Sequence, residues 1–79
     1  MPPTTGPDPD LAYVLRTTRE AQGRSQESLA HAAGISVNSL RRLEYGQSNP
    51  TWTTVRALIT ALGLSVAEFG RELDARQRR

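Results

Sequence analysis

Apolar residues recur at every third or fourth position along most of the chain, which is the spacing of one face of an α-helix. No stretch alternates between apolar and polar residues, as a half-buried β-strand would. The spacing predicts five short α-helices, with ends close to residues 11–22, 26–33, 37–45, 52–62 and 66–73. The chain is therefore predicted to be all-α, with connections of a few residues between consecutive helices.

Residues that favour helix ends lie at the predicted boundaries. Each helix follows a short polar side chain that can accept a hydrogen bond from the first helical turn, namely Asp10, Ser25, Ser36, Thr51 and Ser65. Glu68, at the third position of the last helix, is placed to complete a capping box with Ser65. The first four helices are each followed by a glycine, the residue that most readily ends a helix: Gly23, Gly34, Gly46 and Gly63.

The two ends of the chain differ from its middle. Residues 1–9 contain four of the five prolines, which prevent regular backbone pairing, so we expect a disordered proline-rich tail there. Residues 75–79 are polar and basic, and we expect a short C-terminal tail. Between them, residues 10–74 are predicted to form one small domain, since a chain of 79 residues has material for a single core.

The composition excludes several classes of function. The sequence has no cysteine, so disulfide scaffolds, cysteine-based zinc fingers and thiol nucleophiles are excluded. His31 is the only histidine, and it has no cysteine, second histidine or nearby pair of carboxylates with which to form a metal site. We therefore expect it on the surface of the second helix and predict no metal or other cofactor. The serines are explained as helix caps, and no glycine-rich nucleotide loop occurs. We therefore predict that the protein is not an enzyme.

Membrane insertion and secretion are also disfavoured. No apolar run approaches the ~20 residues that cross a bilayer. The first residues lack the basic and apolar regions of a secretory signal. We expect a soluble cytoplasmic protein with no membrane partner.

Residues 26–45 carry the densest pattern in the chain. Leu29, Ala30 and Ala33 have the spacing of a buried helix face. Gly34 permits the positive φ of a tight turn, and Ile35 is placed to close that turn from the inside. Two helices joined by a short glycine turn form a helix-turn-helix. The pattern predicts this motif over residues 26–45.

The third helix is predicted to be amphipathic, with an unusual outer face. At about 100° per residue, Leu40 and Leu43 point to one side. The opposite side presents Val37, Asn38, Arg41, Arg42 and Tyr45. Arginine can bond to guanine, asparagine can bond to adenine, and valine can touch the methyl group of thymine. The face is therefore suited to contacting base edges, although a solvated amphipathic helix would show the same division.

The positive charge is carried entirely by arginine, and arginines outnumber acidic residues two to one in the middle of the chain. All ten basic residues are arginines, and the net charge is +2. Between residues 16 and 56, six arginines accompany only three acidic residues. Because the guanidinium group recognises phosphate and guanine with planar pairs of hydrogen bonds, this distribution favours a nucleic-acid partner.

The segment RSQESLAHAAGISVNSLRRLEYGQSNPT, residues 24–51, resembles the Cro/C1-type (Xre-like) helix-turn-helix family. The resemblance extends from about Val14 to Phe69, through the ALGLS junction at residues 61–65. It implies a compact five-helix domain like that of the lambda repressor. It also implies a small transcriptional regulator that binds a specific sequence of double-stranded DNA. Such proteins place the recognition helix, here residues 37–45, in the major groove, commonly as a homodimer on a palindromic operator.

The resemblance also implies roles for individual residues. The base-contacting positions of the family are matched by Val37, Asn38, Arg41 and Arg42. The positions that touch DNA phosphates are matched by Gln26, Ser39, Tyr45, Gln47 and Asn49. Arg19 and Glu44 match a structural ion pair between the first helix and the end of the third. The helical spacing agrees, since it places Glu44 at the margin of the buried face.

Other interpretations stay open at this point. In length the chain also resembles the stand-alone controller proteins of restriction-modification systems, which bind DNA. It could instead be an antitoxin that binds a toxin and represses its own operon. Trp52 is expected to pack in the core or as a staple at the start of the fourth helix, with a surface for a partner as the alternative. Phe69 and Leu73 either complete the core or form the seam of a dimer.

Overall fold

The structure is a computed structural model that describes residues 8–78 of the chain. Within that range it contains no β-strand and five α-helices: α1 (Pro9–Ala21), α2 (Gln26–Ala33), α3 (Val37–Glu44), α4 (Trp52–Ala61) and α5 (Val66–Gln77). The predicted all-α class and the five predicted helices are confirmed. Helix α2 has the predicted bounds, and α3 and α4 each end one residue earlier than predicted.

Helix α1 begins two residues earlier than predicted, because its cap is Asp8 and not Asp10. Asp8 Oδ1 accepts hydrogen bonds from the backbone nitrogens of Asp10, at 2.9 Å, and Leu11, at 3.2 Å. Pro9 suits the first helical position, since the N–H that proline lacks would have no partner there. The predicted disordered tail is therefore wrong for residues 8 and 9, which belong to the domain, and residues 1–7 lie outside the described residues.

Helix α5 continues to Gln77, so the predicted tail over residues 75–79 is wrong for residues 75–77. Arg76 accounts for the extension. Its guanidinium carbon lies 3.8 Å from the centroid of the Tyr13 ring on α1. Its Nε lies 3.2 Å from Asp10 Oδ1, an ion-pair distance that lacks the geometry of a hydrogen bond. The cation–π contact and the ion pair hold the last turns of α5 against α1.

The other predicted N-caps are present. Ser25, Ser36 and Thr51 each accept a hydrogen bond from the backbone N–H three residues further on. Ser65 and Glu68 form the predicted capping box at the start of α5. The backbone N–H of Ser65, followed by its hydroxyl, lowers the pKa of Glu68 below its usual value, because hydrogen bonds to a carboxylate favour its charged form.

One apolar core joins all five helices. Helix α2 packs against α3 and α4, while α1 packs against α3 and α5. The fully buried side chains of the core are Leu15, Leu29, Leu40, Leu58, Ile59 and Phe69. Phe69 therefore belongs to the core, whereas Leu73 lies half-buried at its edge. Because α2 and α3 both bury leucines in this cluster, their crossing is fixed by packing.

The turn between α2 and α3 depends on Gly34. This residue has a φ of +74°, in the left-handed region that glycine adopts without steric cost. The next residue, Ile35, donates its backbone N–H to Ala30 O at 3.0 Å and packs against the core. The turn therefore reverses the chain within a few residues and sets α3 across α2.

Two side chains from the connection between α1 and α2 satisfy backbone carbonyls at the end of α4. Gln22 Nε2 donates to Leu62 O at 2.8 Å. Arg24 Nη1 donates to Ala61 O. The last carbonyls of a helix have no partner within it, so these bonds complete the end of α4. The guanidinium of Arg24 is thereby engaged within the fold.

Replacement of Gly34 by alanine is expected to lower the free energy of unfolding by about 1–2 kcal/mol, which chemical denaturation followed by circular dichroism will measure. An added Cβ would meet no atom within 4 Å, so the loss comes from the backbone conformation at φ +74°. Gly70→Ala is the matched control, because Gly70 lies inside α5 with no positive φ. It is expected to leave stability unchanged or raise it by up to about 1 kcal/mol. Equal losses in the two variants would contradict this account of the turn.

Candidate nucleic-acid interface

Helix α3 divides into a buried face and an exposed face. Leu40 and Leu43 face the core, with 0% and 5% of their surface exposed. Asn38, Arg41 and Arg42 lie on other sides of the helix and are exposed. Three of the four residues predicted to contact bases are therefore available to a ligand.

Val37, the fourth of these residues, lies in a different environment. It is half-buried and packs against the core from the first position of α3. Only part of its side chain therefore remains open beside the exposed Asn38. The helical spacing of the sequence predicts Val37 on the outer face. That spacing reflects α3 by itself and does not include the core side chains that contact the start of the helix.

The guanidinium of Arg41 is held by three neighbouring side chains. Its Nε donates to Gln26 Oε1 at 3.3 Å, and its Nη1 donates to Asn38 Oδ1 at 3.1 Å. Its Nη2 lies 3.5 Å from Glu27 Oε1. The Arg41 side chain nevertheless keeps 45% of its surface exposed. The guanidinium of Arg41 is therefore preorganised and still accessible to a ligand.

Arg42, on α3, and Tyr45, directly after it, have no such support. The guanidinium of Arg42 makes no hydrogen bond or ion pair with any residue in the range 8–78. Tyr45 follows α3 as its C-cap and has 64% of its surface exposed. Both side chains are therefore free to turn toward a ligand at the end of α3.

Gln26 connects this surface to the interior. It is the first residue of α2 and is half-buried. Its Nε2 donates to Glu44 Oε1 at 3.0 Å, while its Oε1 accepts from Arg41. Both ends of the side-chain amide are thus engaged within the protein. These contacts depend on how α2 crosses α3, so local sequence patterns do not reveal them.

Arg19 and Glu44 form a bidentate ion pair beneath the exposed polar residues of α3. Arg19 Nε lies 2.8 Å from Glu44 Oε2, and Arg19 Nη2 lies 2.9 Å from Glu44 Oε1. The Glu44 side chain is wholly buried and that of Arg19 is 12% exposed. Arg19 Nη1 also donates to Arg24 O at 2.9 Å. The hydrogen bond to Glu44 raises the pKa of Arg19 above its usual value, against the opposing effect of burial.

The remaining residues predicted to contact phosphate lie near α3 but are not gathered at one point. Ser39 is exposed, and its hydroxyl accepts a hydrogen bond from Ser36 Oγ at 2.8 Å. Gln47 and Asn49 are exposed in the loop after α3. The backbone N–H of Gln47 donates to Arg42 O at 2.7 Å and holds the start of this loop against the helix.

Two side chains differ from the expectations of the sequence. The sequence favours the core or a staple for Trp52, but 58% of its surface is exposed at the start of α4. It lines a hollow together with Leu11 and Val66. Its environment depends on the position of α5, which local sequence does not reveal. Glu27 had no predicted role, yet it faces Arg41 across the α2–α3 crossing. His31 is exposed on α2, as expected.

Neither a metal centre nor a membrane span is found in the part of the chain that the structure describes. No group of three or more histidine, cysteine, aspartate or glutamate side chains in residues 8–78 is arranged to hold a metal ion. None of the helices in this range is both long and apolar enough to cross a membrane.

Comparison with known proteins identifies the family. The family profile described as "Helix-turn-helix domain" matches residues 10–73, which include all of α2 and α3 and most of the chain. The chain belongs to this helix-turn-helix family. The predicted membership in the Cro/C1-type family is confirmed, and proteins of this family are DNA-binding transcriptional regulators.

A curated relative and several solved structures agree with this assignment. The HTH-type transcriptional regulator DdrOP3 of Deinococcus deserti is 36% identical over 59 residues, which cover 75% of this chain and 46% of the relative. The chain thus spans slightly less than half the length of that curated relative. The restriction-modification controller protein C.AhdI from Aeromonas hydrophila is 34% identical, with a TM-score of 0.72 over 82% of this chain and 92% of that one.

A second controller protein shows the same fold. Wild-type C.Esp1396I has a TM-score of 0.87 at 20% identity, over 90% of this chain and 91% of that one. The tetramer of that protein in complex with its natural 35 base-pair operator gives the same TM-score and identity. At this identity the likeness concerns the helix-turn-helix fold alone.

Arg19→Met is expected to lower the free energy of unfolding by about 3–5 kcal/mol, because it leaves the wholly buried charge of Glu44 without its ion-pair partner. Thermal and chemical unfolding followed by circular dichroism will measure the loss. The double variant Arg19→Met with Glu44→Leu removes both charges and is expected to recover most of that stability. A double variant less stable than Arg19→Met would show that the unpaired charge is not the cause.

Proposed function

We propose that the protein binds a specific sequence of double-stranded DNA with α3 in the major groove and regulates transcription there. The observation that carries the proposal is the exposed surface of α3, where Asn38, Arg41 and Arg42 accompany a buried leucine face. The major groove admits an α-helix. Arginine bonds to guanine O6 and N7 there, and asparagine bonds to adenine N6 and N7. Val37 adds a partly exposed methyl surface for thymine.

The side chains around α3 are assigned to the DNA backbone, where contacts fix orientation without carrying sequence information. Gln26 begins α2, and the backbone N–H groups at a helix N-terminus favour an anion. Tyr45, Gln47 and Asn49 are exposed at the end of α3 and in the loop after it. The exposed hydroxyl of Ser39 lies on α3 itself. These five residues surround the proposed base-contacting surface.

We assign the homodimer interface to an apolar hollow that contains no residue of α3. The hollow measures about 250 Å³ and is lined from α1, α4 and α5 by residues that include Leu11, Trp52, Val66 and Leu73. Trp52 and Val66, which both line this hollow, are 58% and 49% exposed. Exposed apolar patches of this kind mark protein interfaces. Because α3 does not line the hollow, a dimer formed there keeps the recognition helix out of the interface. Two-fold helix-turn-helix dimers contact half-sites about 34 Å apart.

The second candidate function is that of a restriction-modification controller, which is also a DNA-binding regulator. The similarity to C.AhdI, which covers most of both chains, favours it. An antitoxin with a toxin partner is the other alternative, and a co-purifying toxin would reveal it. The proposal assigns no catalytic step to the chain and places it in the cytoplasm with the DNA it regulates.

Selection of bound sequences from random duplex DNA will test the proposed function, with the salt dependence measured for the enriched sequence. A single palindromic motif is expected, because two copies related by a two-fold axis contact equivalent half-sites. Binding without any enriched sequence would contradict the proposal of specific recognition.

Arg41→Ala is expected to weaken binding to the selected sequence by about 1–3 kcal/mol and to relax the preference at one base pair of each half-site. Fluorescence anisotropy with the selected and a random duplex will measure both effects. Arg71→Ala is the matched control, because it removes the same charge from an exposed position on α5. The base-contacting role of Arg41 is wrong if both variants retain the wild-type ratio of specific to random binding.

Val66→Asp is expected to shift the protein from dimer to monomer and raise the dimer dissociation constant at least about tenfold, because it buries a charge in an apolar interface. Val66 is the first residue of α5, where a carboxylate favours the helix, so the monomer stays folded. Sedimentation at several concentrations will measure the shift. Ala67→Asp is the control, since Ala67 is exposed next to Val66 but does not line the hollow. Unchanged association of Val66→Asp would place the interface elsewhere.

A further inference from the structure

A second groove lies beside the end of α3, outside the surface discussed so far. It measures about 240 Å³ and is formed where α1, the end of α3 and the last turns of α5 meet. The groove is lined by the polar and aromatic side chains of Tyr13, Arg16, Glu44, Tyr45 and Arg76, and by Gly46. No role has been assigned to Arg16, and the groove adjoins the proposed DNA surface at Tyr45.

The charges of the groove do not cancel. Glu44 is wholly buried in the wall and is matched by Arg19. Arg76 lies 3.2 Å from Asp10 and is matched by it. The guanidinium of Arg16 makes no ion pair or hydrogen bond with any residue of the described range 8–78. One positive charge therefore remains in the groove without a negative partner, and an anion would complete it.

The ring of Tyr13 supports this arginine. The guanidinium carbon of Arg76 lies 3.8 Å from the centroid of the ring, and that of Arg16 lies 5.7 Å from the same centroid. Both distances fall within the range of a cation–π contact. Two guanidinium groups are thus gathered at one aromatic ring, where only Arg76 has a carboxylate partner.

The donors in the groove match a phosphate group. A guanidinium forms planar pairs of charge-assisted hydrogen bonds with phosphate oxygens, and the hydroxyl of a tyrosine can donate a further bond. Arg16 and Tyr45 line the groove together, and Tyr45 is 64% exposed. A phosphate seated between them would gain one positive charge and one phenolic donor.

We propose that this groove binds a phosphodiester of the DNA backbone just beyond the base pairs that α3 contacts, with Arg16 as its principal charge partner. The inference rests on the proposed DNA-binding function and adds a contact from α1. DNA is favoured over a free phosphate compound because Tyr45 and Gly46 directly follow α3, so the groove continues the proposed interface. Each DNA strand carries a phosphate about every 3.4 Å along the axis, so a groove that follows the strand beyond the contacted base pairs meets further phosphates.

Salt titrations of Arg16→Ala test the proposal with the selected duplex and a random duplex. Arg16→Ala is expected to weaken binding to both by the same factor, and to reduce the slope of log K against log salt by about 1. Arg71→Ala removes the same charge outside the groove and is expected to leave the slope unchanged. Equal slopes for Arg16→Ala and Arg71→Ala would overturn the proposal.

Arg16→Lys keeps the charge and protects the test against a loss of folding. It is expected to retain the wild-type slope, whereas a slope reduced as far as that of Arg16→Ala would indicate a structural role and overturn the proposal. Phosphate-ethylation interference on the selected duplex will locate the contact. Wild-type protein is expected to show interference at a phosphate outside the α3 base pairs, and Arg16→Ala is expected to lose it. An ethylation pattern shared by both proteins would contradict the assignment.

A separate titration with inorganic phosphate and with ATP distinguishes the source of the anion. No Arg16-dependent binding of either compound is expected at concentrations at which DNA binds. Saturable binding of ATP that requires Arg16, with no change in the DNA salt slope, would assign the groove to a free phosphate compound and overturn the DNA assignment. If the proposed function itself fails, the selection gives a different result, because the wild type then enriches no sequence. The slope of log K against log salt on the random duplex still tests the role of Arg16 in that case.

Discussion

The arrangement of the proposed DNA-binding surface depends on one buried carboxylate. The side chain of Glu44 exposes no surface, and it accepts hydrogen bonds from Arg19 of α1 and from Gln26 of α2. A charge removed from water is tolerated only where partners satisfy it. The last turn of α3 is therefore held where Glu44 can accept all of these hydrogen bonds. This position of α3 sets the direction in which the side chains of Asn38, Arg41 and Arg42 point.

This interaction matters more for orientation than for net stability. Helix α3 has eight residues, too few to be stable alone in water, so its geometry comes from its neighbours. Leu40 and Leu43 supply the apolar contribution to that packing. A buried ion pair adds little net stability compared with apolar side chains of the same size, because desolvation offsets the attraction. We interpret the Arg19–Glu44 pair as the contact that selects one rotation of α3 about its axis among several that would bury its leucines.

The sequence predicts the parts of the fold that local chemistry determines. The bounds of α2 and the turn at Gly34 follow from a serine cap and a glycine, which act within a few residues. The end of α5 could not be predicted in this way, because it depends on Arg76 lying over Tyr13 on another helix. The exposure of Trp52 rules out the core position that its sequence favours and agrees with the alternative of a partner surface; local sequence does not decide between them, since its neighbours come from α1 and α5. In the candidate site, the outward residue types were predictable, whereas the contacts of Arg41 with Gln26 and Glu27 depend on the crossing of α2 and α3.

The unequal support of Arg41 and Arg42 has an entropic consequence. Ordering a long side chain at an interface costs about 0.5–1.5 kcal/mol. Arg41 has given up much of that freedom before any ligand arrives, because three side chains restrain it. Arg42 retains its freedom, since nothing in residues 8–78 restrains its guanidinium. In the proposed complex, one arginine is therefore rigid and the other is adaptable. The Arg41 side chain can bond to few arrangements of DNA acceptors, whereas the Arg42 side chain can adjust to several.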